Sequence, residues 1–159
     1  MDDVPLPVTV RSYSPADRDA VAALAPRLTE GVASWRTPEA VARVVHGWVE
    51  HSVTRSGTGG AAVFVAELSG EIVGFVSVTE QAHFTGELDG YIGELAVSSR
   101  HEGRGIGKQL VEAAEAWARS RGRARVGLET GAANARARRF YASLGYQEEG
   151  VRLSRPVDS

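Results

Sequence analysis

The chain has 159 residues, no cysteine and a formal net charge of −2, with 43% hydrophobic and 24% charged side chains. That length and balance suit one soluble domain spanning residues 1–159, and the lack of cysteine excludes disulfides, thiol catalysis and thiolate metal sites. No apolar run approaches the roughly 20 residues of a membrane span, and Met1-Asp2-Asp3-Val4-Pro5 lacks the basic and apolar regions of a signal peptide, so a cytoplasmic protein without a membrane partner is expected.

Val8 to Arg11 reads as a first strand. Ser14-Pro15 then starts a helix that runs to about Ala25, because Ser suits the N-cap and Pro the first helical position. Thr37-Pro38-Glu39 repeats that signal, and Val41, Val44, Val45, Trp48 and Val49 follow at helical spacing as one apolar stripe. Ser56 to Gly60 is a glycine-rich loop. Ala61 to Leu68 and Ile72 to Thr79 are β-branched and apolar runs joined by Ser69-Gly70, a hairpin signal. Gln81 to Gly90 is a polar loop holding His83 and Phe84, and Tyr91 to Val97 is the next strand. The run Arg100-His101-Glu102-Gly103-Arg104-Gly105-Ile106-Gly107-Lys108 leads into a helical pattern from Gln109 to Arg121. Ile106, Leu110, Ala114 and Trp117 share one face of that helix, and Glu115 and Arg119 stand at i, i+4 on the other. Gly122 ends it. Ala124 to Thr130 reads as a strand, Asn134 to Leu144 as a helix stopped by Gly145, and Tyr146 to Leu153 as a last strand.

A strand, a helix and a strand from Tyr91 to Thr130 form a βαβ unit, whose strands are parallel. The earlier strands are linked by short turns and are antiparallel. The fold class is therefore α/β: a mixed, mostly antiparallel sheet with a central parallel βαβ unit and helices on both faces.

A strand followed by a glycine-rich turn and a helix start makes a place for an anion. The first N–H groups of a helix are unpaired, the helix dipole adds positive charge there, and glycine keeps Cβ atoms away from a phosphate. Charge follows the same division: residues 1–99 carry a balance of −7 and residues 100–159 one of +5. Two nucleotide motifs fail on spacing. A P-loop would need Gly where Glu102 stands and Ser or Thr where Gln109 stands, and a dinucleotide fingerprint would need its third Gly at Lys108 or Leu110.

Glu102-Gly103-Arg104-Gly105-Ile106-Gly107 resembles the acyl-CoA pyrophosphate loop of the GNAT superfamily of N-acetyltransferases, whose pattern is Gln/Arg-x-x-Gly-x-Gly/Ala. A second stretch, Asn134 to Tyr146 with Phe140-Tyr141 and Leu144-Gly145, is similar to the family's Asn…Phe-Tyr-x-x-Leu-Gly-Phe segment. The element order matches too, over nearly the whole chain. Glu102 departs from the pattern: a carboxylate beside a pyrophosphate is unfavourable unless it points away, and Arg100, Arg104 and Lys108 are the candidates to compensate.

The resemblance implies acetyl-CoA as co-substrate. Its pantetheine arm would enter a gap where the Tyr91 and Ala124 strands splay, bonding the backbone of Leu95, Ala96 and Val97 like an added strand. Backbone groups of Gly103, Arg104, Gly105, Ile106, Gly107 and Lys108 would hold the pyrophosphate, and an N–H near Leu95 would polarise the thioester carbonyl. Asn134 and Tyr141 are seven apart, nearly two helical turns, so one helix face would put Asn134 on the arm and Tyr141 near the sulfur. A phenol with a pKa of about 10 can protonate a departing thiolate, which makes Tyr141 the candidate general acid; the alternative is a packing tyrosine beside Phe140. An alkyl amine with a pKa of about 10.4 needs a base, and Glu94, among apolar and small neighbours, is the candidate. Glu94 can also contact a cationic substrate or serve in a structural ion pair.

The expected reaction is acetyl transfer to an amine, on a small molecule or a protein, by direct attack in a ternary complex. An acyl-CoA-sensing module without turnover, another acyl group and a hydroxyl acceptor are the alternatives. The acidic N-terminal half suits a cationic acceptor. His46 and His51 are five apart and do not share a helix face, so no metal is expected. His83 and Phe84 could form a lip over the substrate or an exposed loop. Trp35 and Trp48 read as core or, in the resembling family, as a wall of the acceptor site. The arginine clusters lack interleaved aromatics, so no nucleic-acid partner is expected. A homodimer is a common arrangement in families like this.

Overall fold

The computed structural model describes residues 7–157, so the reading of residues 1–5 lies outside the described residues. The elements are β1 (Val8–Ser12), α1 (Arg18–Ala22), α2 (Pro38–Arg55), β2 (Ala61–Leu68), β3 (Glu71–Ala82), β4 (Leu88–Val97), α3 (Ile106–Ser120), β5 (Val126–Leu128) and α4 (Ala135–Ser143). Short 3-10 turns at Pro15–Asp17, Ala25–Thr29 and Ser99–His101 join them. The five strands lie in sequence order, β1 to β4 antiparallel and β4 with β5 parallel. The β4–α3–β5 unit is the expected βαβ crossover, and the mixed sheet with helices on both faces is the expected fold class.

The two faces explain the sequence pattern. On one, Ile106, Leu110, Val111 and Ala114 of α3 pack on Ala66, Val76, Val78 and Ile92. On the other, Val21, Val49 and Val53 of α1 and α2 pack on Val63, Val65, Phe75 and Ala96. Being covered on both faces, β3 is buried without interruption from Val73 to Val78, which is why it reads as an apolar run and not as an alternation. Among the described residues no helix is long and apolar enough to cross a membrane.

Several boundaries and faces differ from the sequence reading. The first helix is broken: α1 stops at Ala22 and the chain tightens into the turn at Ala25–Thr29, where Pro26 cannot supply a helical N–H. The buried stripe of α2 is Val45, Val49 and Val53; Val44 and Trp48 are exposed, and so is Trp35, so neither tryptophan is core. The β3–β4 hairpin extends into the polar stretch, leaving residues 83–87 as its loop, because Glu80, Gln81 and Ala82 pair with Gly90, Asp89 and Leu88 through backbone alone. Phe84 in that loop is fully in solvent. Helix α3 begins at Ile106, ahead of Gln109, and Glu115 takes the Tyr146 hydroxyl at 2.9 Å in place of Arg119. β5 is three residues long, and residues 146–153 form no strand, with Val151 and Leu153 exposed. Among the described residues the parallel pair therefore ends the five-stranded sheet, with no strand beyond β5 to make it central.

Candidate active site

β4 and β5 pair only where Gly90, Tyr91 and Ile92 face Val126, Gly127 and Leu128. Beyond Ile92, β4 continues to Val97 on its β3 side, while its other edge has no strand partner among the described residues. Leu95, Ala96 and Val97 lie on this open edge, so their outward backbone groups are available to a ligand that mimics a strand. One of them already has a partner: the Val97 carbonyl accepts Arg27 Nε at 3.1 Å.

A β-bulge sets the side chain just past the last β4–β5 pair. Ser77 pairs with Glu94 and Val78 with Ile92, so Gly93 is the extra residue. The bulge turns Glu94 to the face opposite Ile92, away from α3 and toward α2. A Cβ at Gly93 would lie 3.0 Å from Ser77 Oγ, which leaves no slack for a side chain. Ser77 Oγ accepts the Glu94 backbone N–H at 2.9 Å and donates to Glu94 Oε2, and Ser52 Oγ of α2 donates to the same oxygen at 2.9 Å. Glu94 is 8% exposed, and among the described residues no cation pairs with it and no hydrogen bond reaches Oε1. Burial pushes its carboxyl above the ordinary glutamate value; the two serine hydroxyls and the charge of His51 pull it part of the way back. The ion-pair alternative thus finds no partner, and what remains is a buried carboxyl held by neutral donors.

From β4 the chain passes through Ser99–His101 into Glu102, Gly103, Arg104 and Gly105, and then α3. Gly103 and Gly105 have φ of +75° and +76°, the left-handed region that other residues enter at a cost. A Cβ at either would meet nothing within 4 Å, so these two glycines serve the path of the backbone. Gly107 has a different task. Its Cβ would stand 3.2 Å from the Phe140 ring, so this glycine lets α3 and α4 approach. The start of α3 fits an anion: no side chain caps it, its first turn has no acidic residue, and the amides of residues 106–108 have no acceptor inside the helix.

Asn134 is the N-cap of α4. Its Oδ1 accepts the Ala137 N–H at 3.0 Å and its amide reaches the Glu30 carbonyl at 3.4 Å. The connection between α1 and α2 thus lies against the start of α4; a Cβ on Gly31 would fall 2.2 Å from Asn134 Cβ. Tyr141 packs edge-on against Phe140 (5.0 Å) and Tyr146 (5.5 Å), and burial pushes its hydroxyl up to about 12. Among the described residues that hydroxyl makes no hydrogen bond, so it is both a packing tyrosine and one with a free donor.

Glu102 is compensated, though by other residues than expected. Arg27 donates to its Oε1, and Arg136 of α4 meets its Oε2 at 2.8 Å. The sequence reading passes over Arg27, Ser52 and Ser77, and it meets Arg136 only within an arginine cluster explained by a solvated helix face or a phosphate of CoA. Only Ser77 left a signal, as a polar residue inside an apolar strand run.

A parallel pair whose ladder stops at Ile92, a helix start open to an anion and a buried carboxyl just past that ladder are the features of the site. The pattern that defines the acetyltransferase (GNAT) family matches residues 29–146, and the chain belongs to that family. A sequence relative, an uncharacterized N-acetyltransferase of Archaeoglobus fulgidus, is 45% identical over 83 residues, covering 51% of this chain and 56% of the relative. The chain spans about half the length of the sequence relatives it matches. Among solved structures, a putative acetyl transferase from Pyrococcus furiosus superposes with a TM-score of 0.76 at 21% identity, covering 95% of this chain and all of the other. The PaiA N-acetyltransferase of Thermoplasma acidophilum, solved in complex with coenzyme A, gives 0.78 at 17% identity, covering 92% and 93% of the two chains. At these identities the structural likeness is one of fold.

Proposed function

We propose that this protein moves an acetyl group from acetyl-CoA to an amine by direct attack in a ternary complex. The observation that carries the reading is Glu94: a carboxyl buried just past the last β4–β5 pair, pushed above its ordinary pKa and, among the described residues, left without an ion-pair partner. A carboxyl that needs only to be inert is better replaced by an apolar residue, since burying it costs free energy. One that takes a proton from an ammonium gains from a raised affinity for it.

The co-substrate supplies the activated acyl group as a thioester. The residues of this chain do the rest. The amides of residues 106–108 and the backbone of Gly103, Arg104 and Gly105 bind the pyrophosphate, and residues 95–97 bind the pantetheine arm along the open β4 edge. Glu94 Oε1 takes the proton that the attacking nitrogen loses as the new C–N bond forms. The Tyr141 hydroxyl gives a proton to the sulfur as the C–S bond breaks. With its pKa raised, Tyr141 keeps its proton over the whole working pH range. Asn134 holds the start of α4, and through it the placing of Tyr141.

The test is incubation with acetyl-CoA and a panel of small amines and peptides, reading CoA release. Release with at least one amine, slowed about 10²- to 10⁴-fold by Glu94→Gln, is the expected result. Tight CoA binding with no release for any acceptor overturns the catalytic reading and leaves an acyl-CoA-binding module. Competition between acetyl-CoA and longer acyl-CoAs checks the acyl group.

A further inference from the structure

Glu102 stands one residue before the loop proposed to hold a pyrophosphate, where its charge alone opposes an anion. Its surroundings give it another task. Arg27 Nη2 donates to one carboxylate oxygen and Arg136 Nη1 lies 2.8 Å from the other, so the carboxylate bridges two guanidiniums. Arg27 is itself fully engaged: Nε donates to the Val97 carbonyl at 3.1 Å and Nη1 to Glu30 Oε1 at 2.6 Å. One carboxylate therefore ties together the end of β4, the loop before α3, the connection between α1 and α2, and the first turn of α4.

We propose that Glu102 is a positioning residue: its double ion pair to Arg27 and Arg136 fixes the loop of residues 103–105 in its binding shape before the co-substrate arrives. The inference rests on the acyl-CoA reading above. Its physical reason is entropy. Two glycines in the left-handed region make a loop with many alternative paths, and a loop that must order on binding weakens binding. The knot lies directly before the first of those glycines. Each carboxylate oxygen faces an arginine, so the charge is neutralised where it stands, and with Glu30 on Arg27 the network sets two cations against two carboxylates.

Charge alone and this proposal predict opposite signs. CoA binding is measured by calorimetry for the wild type, Glu102→Ala, Arg136→Ala and the double variant. If charge alone mattered, Glu102→Ala would bind CoA more tightly and Arg136→Ala more weakly, with additive effects. The expected result is that both single variants bind about tenfold more weakly, the size of coupling within one network, and that the double variant is no weaker than either. Tighter or unchanged binding by Glu102→Ala overturns the proposal. A wild type that does not bind CoA overturns the acyl-CoA reading itself, a distinct outcome. Hydrogen exchange on the ligand-free protein gives a second readout. Arg136 is exposed, so Arg136→Ala keeps the fold, and it should speed amide exchange in residues 103–108; unaltered exchange there also overturns the proposal.

Discussion

Ser77 and Glu94 meet twice across the β3–β4 bulge: the serine oxygen accepts the Glu94 backbone N–H at 2.9 Å, and the same hydroxyl donates to the Glu94 carboxylate. One small side chain thus fixes both the backbone and the carboxyl of the proposed base. Ser52 adds a second donor from α2.

The first prediction is a pH profile. Burial raises the Glu94 pKa, so the acidic limb of kcat/KM should lie above the usual carboxylate range. The serine hydroxyls stabilise the charged form. Ser77→Ala and Ser52→Ala should therefore move that limb to higher pH, and Glu94→Gln should remove it. The other charged or titratable groups facing Glu94 are His51 of α2 and Tyr91 of β4, the latter in turn near Glu129. A limb that stays in place in both serine variants would separate the serines from the base. Stability runs the opposite way with pH. A raised folded pKa makes the Glu94 contribution most favourable below the unfolded value of about 4.3, and it is lost as pH rises through the folded value. Glu94→Gln should accordingly raise Tm at pH 8 and leave it nearly unchanged at pH 4.

Tyr141 gives the second prediction. Its hydroxyl makes no hydrogen bond among the described residues, and its ring packs on Phe140 and Tyr146. Tyr141→Phe keeps the packing and deletes only the proton. It should lower kcat by about 10²- to 10⁴-fold, the usual worth of a general acid, with CoA affinity and Tm unchanged. No basic limb from Tyr141 should enter the profile below about pH 11, given a pKa of about 12. An unaltered kcat would return Tyr141 to a packing role.

A third prediction separates conformation from space in the loop. Gly105 has φ of +76°, yet a Cβ there meets nothing within 4 Å. Gly105→Ala should cost about 1–2 kcal/mol in urea unfolding through backbone strain alone. Gly105→Asn, although larger, should cost less, because Asn tolerates the left-handed region. If Asn proved the worse of the two, crowding and not φ would be the cause.

What the sequence disclosed follows from how local each signal is. Thr37-Pro38 marks the start of α2 to the residue, since a proline at the first helical position acts within one turn. The glycine turn before α3 was equally plain. The bulge at Gly93 was not, because register is a property of two strands, and Glu94 changes face only through its pairing with Ser77. Arg27 lies 75 positions from Glu102, and nothing near either residue announces the other. The buried stripe on α2 lies one row from the one the sequence suggests: Val44 and Trp48 satisfy the helical period as well as Val49 and Val53 do, and only packing chooses between them. Residues 146–153 carry strand-forming side chains but find no partner to pair with, and Tyr146 packs on Tyr141 and reaches Glu115 instead.

The last prediction concerns the N-terminal end of the sheet. The Asp17 carboxylate takes both terminal nitrogens of Arg11, at 2.8 and 2.9 Å, and the Ser14 backbone N–H at 2.8 Å. It is 6% exposed, and the Arg11 hydrogen bonds hold its pKa below the usual aspartate value. The sign is the reverse of that for Glu94. A lowered folded pKa gives stability that is present above the unfolded value of about 3.9 and fades as pH falls through the folded one. Asp17→Asn keeps the size but loses the charge that Arg11 meets, and should cost about 1–3 kcal/mol at pH 7. Denaturant unfolding of the two proteins should converge as pH drops below 4, where the wild-type carboxylate takes up its proton as well. Arg11 also reaches Glu67 of β2 at 2.9 Å, so it keeps one partner in the variant and the first strand stays docked. A gap between the two proteins that persists at low pH would assign the loss to packing and not to charge.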